Sequence, residues 1–269
     1  MKNIATETLM AIELFELQNN KKVLPTRKNV ILHIPHSSTK IPDYSFYVVS
    51  NETLNSELEL LTDHFTDEIF NLKNVDKIIT PFSRLFCDVE RFADDDDEIM
   101  SKFGRGFYYT KTDSGEDLRS LNSEFKNNIY LNYYLKHHLE FEKIIDEKLN
   151  KFDNVIIIDC HSFPNKPLKT DLLKTTGDRP DICLGIDEFH SSKLLIQNLK
   201  MNFESNGLKV EINDPYRGTI IPLKYYRKNF NVLSIMIEVN RNLYIDESNV
   251  INKEKVKILN NIIDKSILF

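Results

Sequence analysis

Short runs of β-branched and aliphatic residues recur along the chain, each broken by a turn signal, and alternate with longer stretches of helical period. Asn29–Ile34 (NVILHI), Val75–Thr80 (VDKIIT), Asn154–Asp159 (NVIIID), Ile182–Ile186, Lys209–Ile212 and Val232–Val239 (VLSIMIEV) have the length and composition of buried strands. Leu85–Val89 is predicted as a further short strand. Glu57–Leu72 places Leu58, Leu61, Phe65, Ile69 and Leu72 in an amphipathic helical pattern, with Thr62-Asp63 as the start of a second segment. Ser123–Leu149 and residues 190–205 and 249–268 are predicted helices, and the polar stretch 92–120 is predicted as a loop. Residues 3–20 read as a strand or a short helix. Strands alternating with helices, with no internal repeat and no Pro/Gly/Ser-rich linker, predict one α/β domain over 1–269. Its sheet is expected to be mixed and mostly parallel, flanked by helices.

Composition narrows the function classes. The formal net charge is -6 and no basic stripe appears, which argues against a nucleic-acid partner. No apolar run reaches the roughly 18 residues that span a bilayer. The first twenty residues carry acids among their apolar positions, unlike a secretory signal. Cys87, Cys160 and Cys183 are widely spaced and odd in number, as expected of buried thiols in a reducing cytoplasm. The cations are nine Arg against 26 Lys. Arg84, Arg91, Arg105, Arg217 and Arg241 sit in compact segments with Asp, Tyr, Gly or Asn. Arg grips carboxylates through a planar fork that Lys lacks, so several such Arg would suit an anionic substrate.

In open α/β sheets, ligands bind outside the carboxyl ends of the strands. His36 follows NVILHI, His161 follows NVIIID, and Glu238 lies near the end of VLSIMIEV. Neutral imidazoles are good zinc ligands, and three protein ligands with one open position make a catalytic zinc site. His36 and His161 are therefore the leading ligand candidates. Asp63, Asp67 and Asp159 are the options for an acidic third ligand, and His64 competes with them. On a continuous helix Asp63 and Asp67 would face the same way, so that one could bind metal while the other orients a histidine. His33 lies inside its strand and reads as structural, and His137, His138 and His190 read as helix-surface residues. Glu238 sits in an apolar strand, where an acid is costly unless it is paired or functional. It is expected to be a general base of raised pKa or the partner of a buried Arg such as Arg241. No phosphate-cradling GxxxxGK[ST] and no GxSxG occurs. Cys160 and His161 are adjacent on a strand, point to opposite faces, and make a poor nucleophile–base pair.

Six segments carry a family resemblance: Pro35-His36-Ser37-Ser38; Thr62-Asp63 with Asp67-Glu68; Ser83-Arg84 with Asp88 and Arg91; Asp159-Cys160-His161-Ser162-Phe163-Pro164; Asp214-Pro215-Tyr216-Arg217-Gly218; and Ile237-Glu238-Val239-Asn240-Arg241-Asn242-Leu243-Tyr244. Their order resembles the N-formylglutamate amidohydrolase family over about residues 28–250. The resemblance implies a fold similar to zinc carboxypeptidases and aspartoacylases. It also implies a zinc-dependent hydrolase that removes an N-acyl (formyl) group from a small anionic amino acid such as glutamate. By position it implies one Zn2+ held by His36, Asp63 and His161, with Asp67 in reserve, and Glu238 as the base. It places Arg84 and Arg91 as the clamp on the substrate carboxylate, and Asp88, Arg105, Tyr216, Arg217, Asn240 and Arg241 around the substrate. The chain departs from the family where IPHSS replaces SPHSG and where Asp88-Val89-Glu90-Arg91 replaces Asp-x-Asn-Arg. It departs again where Pro215-Tyr216-Arg217-Gly218-Thr219 replaces PYKGG, and where Lys224-Tyr225-Tyr226 stands for His-Tyr-Gly. These departures bear on the acyl amino acid taken, not on the hydrolase class. The competing readings are a metallopeptidase or amidase of similar fold, and a binding protein that kept the fold without catalysis.

Overall fold

The structure is a computed structural model that describes residues 25–171, 178–246 and 250–268. The apolar runs become β1 (Val30–Ile34), β2 (Asp76–Ile79), β3 (Val155–Phe163), β4 (Ile182–Gly185), β5 (Val210–Ile212) and β6 (Val232–Asn240). They form one six-stranded sheet in the order β2-β1-β3-β6-β4-β5. β4 runs antiparallel to β6 and every other pairing is parallel. Strands of a parallel sheet are covered on both faces, which is why β1, β3 and β6 read as nearly unbroken apolar runs. Every residue of these three strands is buried.

The helices are α1 (Asn51–Leu61), α2 (Thr66–Ile69), α3 (Ser123–Ile129), α4 (Leu135–Leu149), α5 (Lys193–Ser205) and α6 (Lys253–Ile267). Polar residues start four of them: Ser50, Asn122, Ser192 and Asn252 each accept a hydrogen bond from a backbone N–H in the first turn. A π-helical turn, Tyr130–Tyr134, joins α3 to α4.

The two faces of the sheet differ. On one, Leu32, Ile158, Ile235 and their neighbours pack against Leu195, Leu199 and Phe203 of α5 and Val256, Leu259 and Ile263 of α6. On the other, Ile31, Val155, Ile157 and Val232 pack against Phe141 and Ile145 of α4. This second face changes character along the strands. The register pairs His33 with Asp159 and His161 with Glu238. Side chains two apart share a face, so the carboxyl-terminal end of this apolar face presents His33, Asp159, His161 and Glu238 side by side.

Several local expectations are corrected. Leu85–Val89 is not a strand: Phe86 and Cys87 N–H groups both return to the Ser83 carbonyl, a turn closed after Pro81. The predicted 57–72 helix is two helices, because α1 begins earlier at its Ser50 cap and ends before Asp63. Asp63 N–H donates to the His36 carbonyl at 2.9 Å, which draws the chain out of the helix. Phe65 then takes a left-handed φ of 62° before α2 starts, a conformation that costs a non-glycine residue roughly 1–2 kcal/mol. Asp63 therefore does not share a helix face with Asp67. His137 and His190 are buried rather than on the surface, and His138 is half-buried. His137 belongs to the inward face of α4 with Phe141 and Ile145. His190 precedes α5 and is fixed by the Val232 carbonyl and the Arg227 N–H. The 3–20 element lies outside the described residues.

Phe141 is fully buried and stacks on His33 with centroids 4.8 Å apart. Phe141→Ala should lower stability by about 3–5 kcal/mol, the usual cost of removing a buried Phe, measured by urea denaturation.

Candidate active site

Three elements deliver the central residues. His36 lies two residues beyond β1, His161 lies on β3 and Glu238 on β6. The backbone bond from Asp63 to His36 brings Asp63 alongside. The loop after β2 supplies Arg84, Asp88, Glu90 and Arg91, and the 3-10 turn after β6 supplies Arg241.

His36 has a carboxylate against one nitrogen and no hydrogen-bond partner at the other, whereas His161 has carboxylates against both. His36 Nε2 meets Asp88 Oδ1 at 2.9 Å. A carboxylate accepts only, so this contact places the His36 proton on Nε2. His36 Nδ1 is buried without a hydrogen-bond partner, 3.6 Å from Glu90 Oε2 and 3.8 Å from Asp63 Oδ2. His161 Nδ1 lies 2.9 Å from Asp63 Oδ2, and its Nε2 lies 3.1 Å from both Asp159 Oδ1 and Glu90 Oε2. The His36 and His161 ring centroids are 5.1 Å apart.

The surrounding charges are ordered by fixed partners. Asp63 accepts from Arg241 Nη2 at 3.2 Å and from the Ser162 N–H at 3.3 Å. Asp88 accepts from Arg84 Nη2 at 2.9 Å and from the Tyr109 hydroxyl at 2.8 Å, with Arg91 Nε at 3.5 Å. Burial pushes the Asp88 carboxyl up, but Arg84 and His36 hold it well below the usual range. Asp63 behaves likewise, its burial outweighed by the neighbouring imidazoles of His161 and His36. Glu90 is also lowered against its burial, by His161 and His36. Burial would lower His161, but Glu90 and Asp159 raise it well above an ordinary histidine. Glu238 differs from all of these. Its Oε2 is buried with no hydrogen-bond partner, and burial, reinforced by Asp63, pushes its carboxyl up to about 8.

Five carboxylates (Asp63, Asp88, Glu90, Asp159, Glu238) thus surround three imidazoles, with the guanidinium groups of Arg84, Arg91 and Arg241 as fixed cations. The excess of acid over fixed cation suits a bound positive ion. The donor set has the right chemistry, because ligand atoms of His36, Glu90 and His161 all lie within 4.8 Å of one another. Asp63 lies against the same two imidazoles. A second such group is His33, Glu90 and Asp159.

The structure brings together His36, Asp63, His161, Glu238, Arg84, Asp88, Arg91 and Arg241. Arg241 donates to Asp63, the Leu60 carbonyl and Ser162 and acts on Glu238 through its charge. Other sequence candidates are engaged elsewhere. Asp67 and Arg217 are exposed. Arg105 binds Asp113 and Thr170. The Tyr216 hydroxyl is held by Asp171 and Arg179, and Asn240 binds Asn165 and the Pro180 carbonyl. Glu90 and Tyr109 were missed as site residues. The signal for Glu90 was an acid wedged between Asp88 and Arg91, whereas Tyr109 gave none because it lies in an irregular loop.

The family model for N-formylglutamate amidohydrolase matches residues 28–245. The chain belongs to that family of hydrolases. Its fold is similar to the crystal structure of N-formylglutamate amidohydrolase from Ralstonia eutropha JMP134, at 21% identity over 93% of each chain with a TM-score of 0.78. It is also similar to the gene product Atu2144 from Agrobacterium tumefaciens, at 19% identity over 94% of each chain with a TM-score of 0.62. No curated protein matches the chain in sequence. Among the described residues no helix is long and apolar enough to cross a membrane.

Asp88→Asn removes one partner from a buried ionic cluster and should destabilise the protein at neutral pH by about 3–5 kcal/mol. The folded pKa of Asp88 is depressed, so its contribution is present above the unfolded carboxyl pKa and is lost as pH falls below it. Urea denaturation of both proteins should therefore show the gap closing below about pH 4.

Proposed function

We propose that the protein is a zinc-dependent hydrolase that cleaves the linear amide of an N-acyl amino acid, with N-formylglutamate as the reference substrate. The observation that carries this reading is His36 Nδ1, a buried nitrogen without a hydrogen-bond partner that faces the Asp63 and Glu90 carboxylates. An imidazole whose other nitrogen donates to a carboxylate is the usual arrangement of a metal-bound histidine. His36, Asp63 and His161 would hold the ion, with Asp88 and Asp159 orienting the two imidazoles from behind. Glu90 is close enough to add a ligand. Zinc bound by this set supplies Lewis acidity, which polarises a carbonyl and makes water acidic near neutral pH.

The chain's own groups account for the rest. Glu238 sits across the strand pair from His161, takes a proton from the attacking water and passes it to the leaving amine. Burial favours the protonated carboxyl needed for the second transfer. The positive charge of His161, Arg241 and Arg84 opposes that burial, and a bound cation would act in the same direction. Arg84 and Arg91 are held in place by Asp88 yet keep part of their side chains open, 14% and 25% respectively. They would receive the substrate carboxylate through their free N–H groups.

The test is formate release from N-formyl-L-glutamate by zinc-loaded protein, with zinc content measured on the same preparation. Absence of bound zinc, together with no turnover of any N-acyl amino acid, overturns the reading. Glu238→Gln should retain zinc and lose about 10²–10⁴-fold in kcat, the typical worth of general acid–base catalysis. Metal-free protein supplies an independent check. The folded pKa of Glu238 is raised from 4.5 to about 8, so its contribution to stability is lost as pH rises through that window. Glu238→Gln should therefore gain in melting temperature relative to wild type between those pH values.

A further inference from the structure

A line of buried side chains runs from α4 to His161, and the reaction scheme above leaves most of it unused. Thr80 Oγ1 lies 3.5 Å from His137 Nδ1. His137 Nε2 lies 3.0 Å from His33 Nε2, and His33 Nδ1 lies 3.0 Å from Asp159 Oδ1. The same Asp159 oxygen lies 3.1 Å from His161 Nε2, and its other oxygen accepts the Ile220 N–H at 3.0 Å. His33 Nδ1 also lies 3.4 Å from Glu90 Oε1. His33 is completely buried, and one face of its ring is covered by Phe141.

The proton positions follow from the carboxylate end. Asp159 can only accept, so His33 carries a proton on Nδ1 and His161 a proton on Nε2. Asp63 also only accepts, so without an ion His161 Nδ1 is protonated as well and donates to Asp63 Oδ2 at 2.9 Å; a bound ion would take the place of that second proton. A neutral His33 then has a bare Nε2, which receives the His137 Nε2–H, and His137 Nδ1 in turn accepts from the Thr80 hydroxyl. With Nε2–H held by Asp159, His161 would offer the lone pair of Nδ1 to an ion lying on the side of Asp63 and His36. A histidine with the opposite tautomer would point an N–H at the place of the ion.

We propose that His33, backed by His137, is a positioning residue: it fixes Asp159, and through Asp159 the tautomer and ring orientation of His161 as a metal ligand. The proposal rests on the metal reading given above. It also accounts for a costly feature, a chain of three polar rings in the apolar layer between the sheet and α4. An unpaired buried polar group costs about 1–3 kcal/mol, whereas here every ring nitrogen of His33 and His137 has a partner.

The experiment compares two substitutions at one position. His33→Asn places an amide N–H where Nδ1–H stood and can still donate to Asp159. His33→Leu keeps the apolar contact with Phe141 and cannot donate. Zinc affinity is measured by competition with a chromogenic chelator, and folding by thermal melting. His33→Leu should weaken zinc binding about 10–100-fold, the usual effect of losing an outer partner of a ligating histidine. His33→Asn should stay within the same order of magnitude as wild type. Equal weakening in both variants, or unchanged affinity in His33→Leu with only a lower melting temperature, overturns the proposal while leaving the hydrolase reading intact. Wild-type protein that binds no zinc overturns both. If His33→Leu does not fold, imidazole 15N shifts of zinc-loaded wild-type protein decide the matter. Protonated His33 Nδ1 and His161 Nε2 support the proposal, and the reverse tautomer on either ring refutes it.

Discussion

The register between β1, β3 and β6 is the constraint on which the site depends. Pairing His33 with Asp159 and His161 with Glu238 puts ionisable groups from distant parts of the chain at neighbouring positions on one face. A slip of one residue would turn all of them into the opposite, wholly apolar layer. That register is in turn enforced by the apolar alternation beneath it, because Ile31, Val155, Ile157 and Val232 must meet Phe141 and Ile145. The same packing that holds the sheet to α4 therefore sets the relative positions of two histidines and two acids.

Concentrating acids in a buried place needs compensation, and the chain supplies it in a graded way. Asp88 takes two guanidinium groups, a tyrosine hydroxyl and an imidazole. Asp63 takes one guanidinium and two imidazole contacts. Glu90 and Asp159 meet imidazoles alone among charged groups, and the inner oxygen of Glu238 meets nothing. The fixed positive charge thus thins out from Asp88 toward Glu238.

Much of this was legible in the sequence because β-branched runs of strand length are distinctive and because ligands collect at strand ends. The places of the strands along the chain, and of His36, His161 and Glu238 at or near their ends, follow from those two regularities. What could not be read depends on contacts far apart in sequence. Asp63 leaves its helix because of a bond to the His36 carbonyl, so a helical period drawn through 57–72 wrongly joined it to Asp67. Leu85–Val89 is apolar because it packs under α1 and Tyr109, not because it pairs in a sheet. His137 reads as a surface residue because it lies on a predicted helix, whereas its partner, His33, lies 104 positions earlier in the chain.

The segment between β2 and α3 carries Arg84, Asp88, Glu90 and Arg91, yet among its described residues its regular structure is one 3-10 turn, Ile99–Phe103, and isolated bridges. It is tied down by side chains gripping backbone: the Arg119 guanidinium holds the Phe86 and Tyr109 carbonyls and lies over the Tyr108 ring, 3.5 Å from its centroid. Few of its backbone groups lie in a ladder or helix. Its amides would exchange with solvent through local opening, at a free-energy cost below that of global unfolding. Local opening there would withdraw Arg84, Asp88, Glu90 and Arg91 together while the strands that carry His161 and Glu238 stay folded.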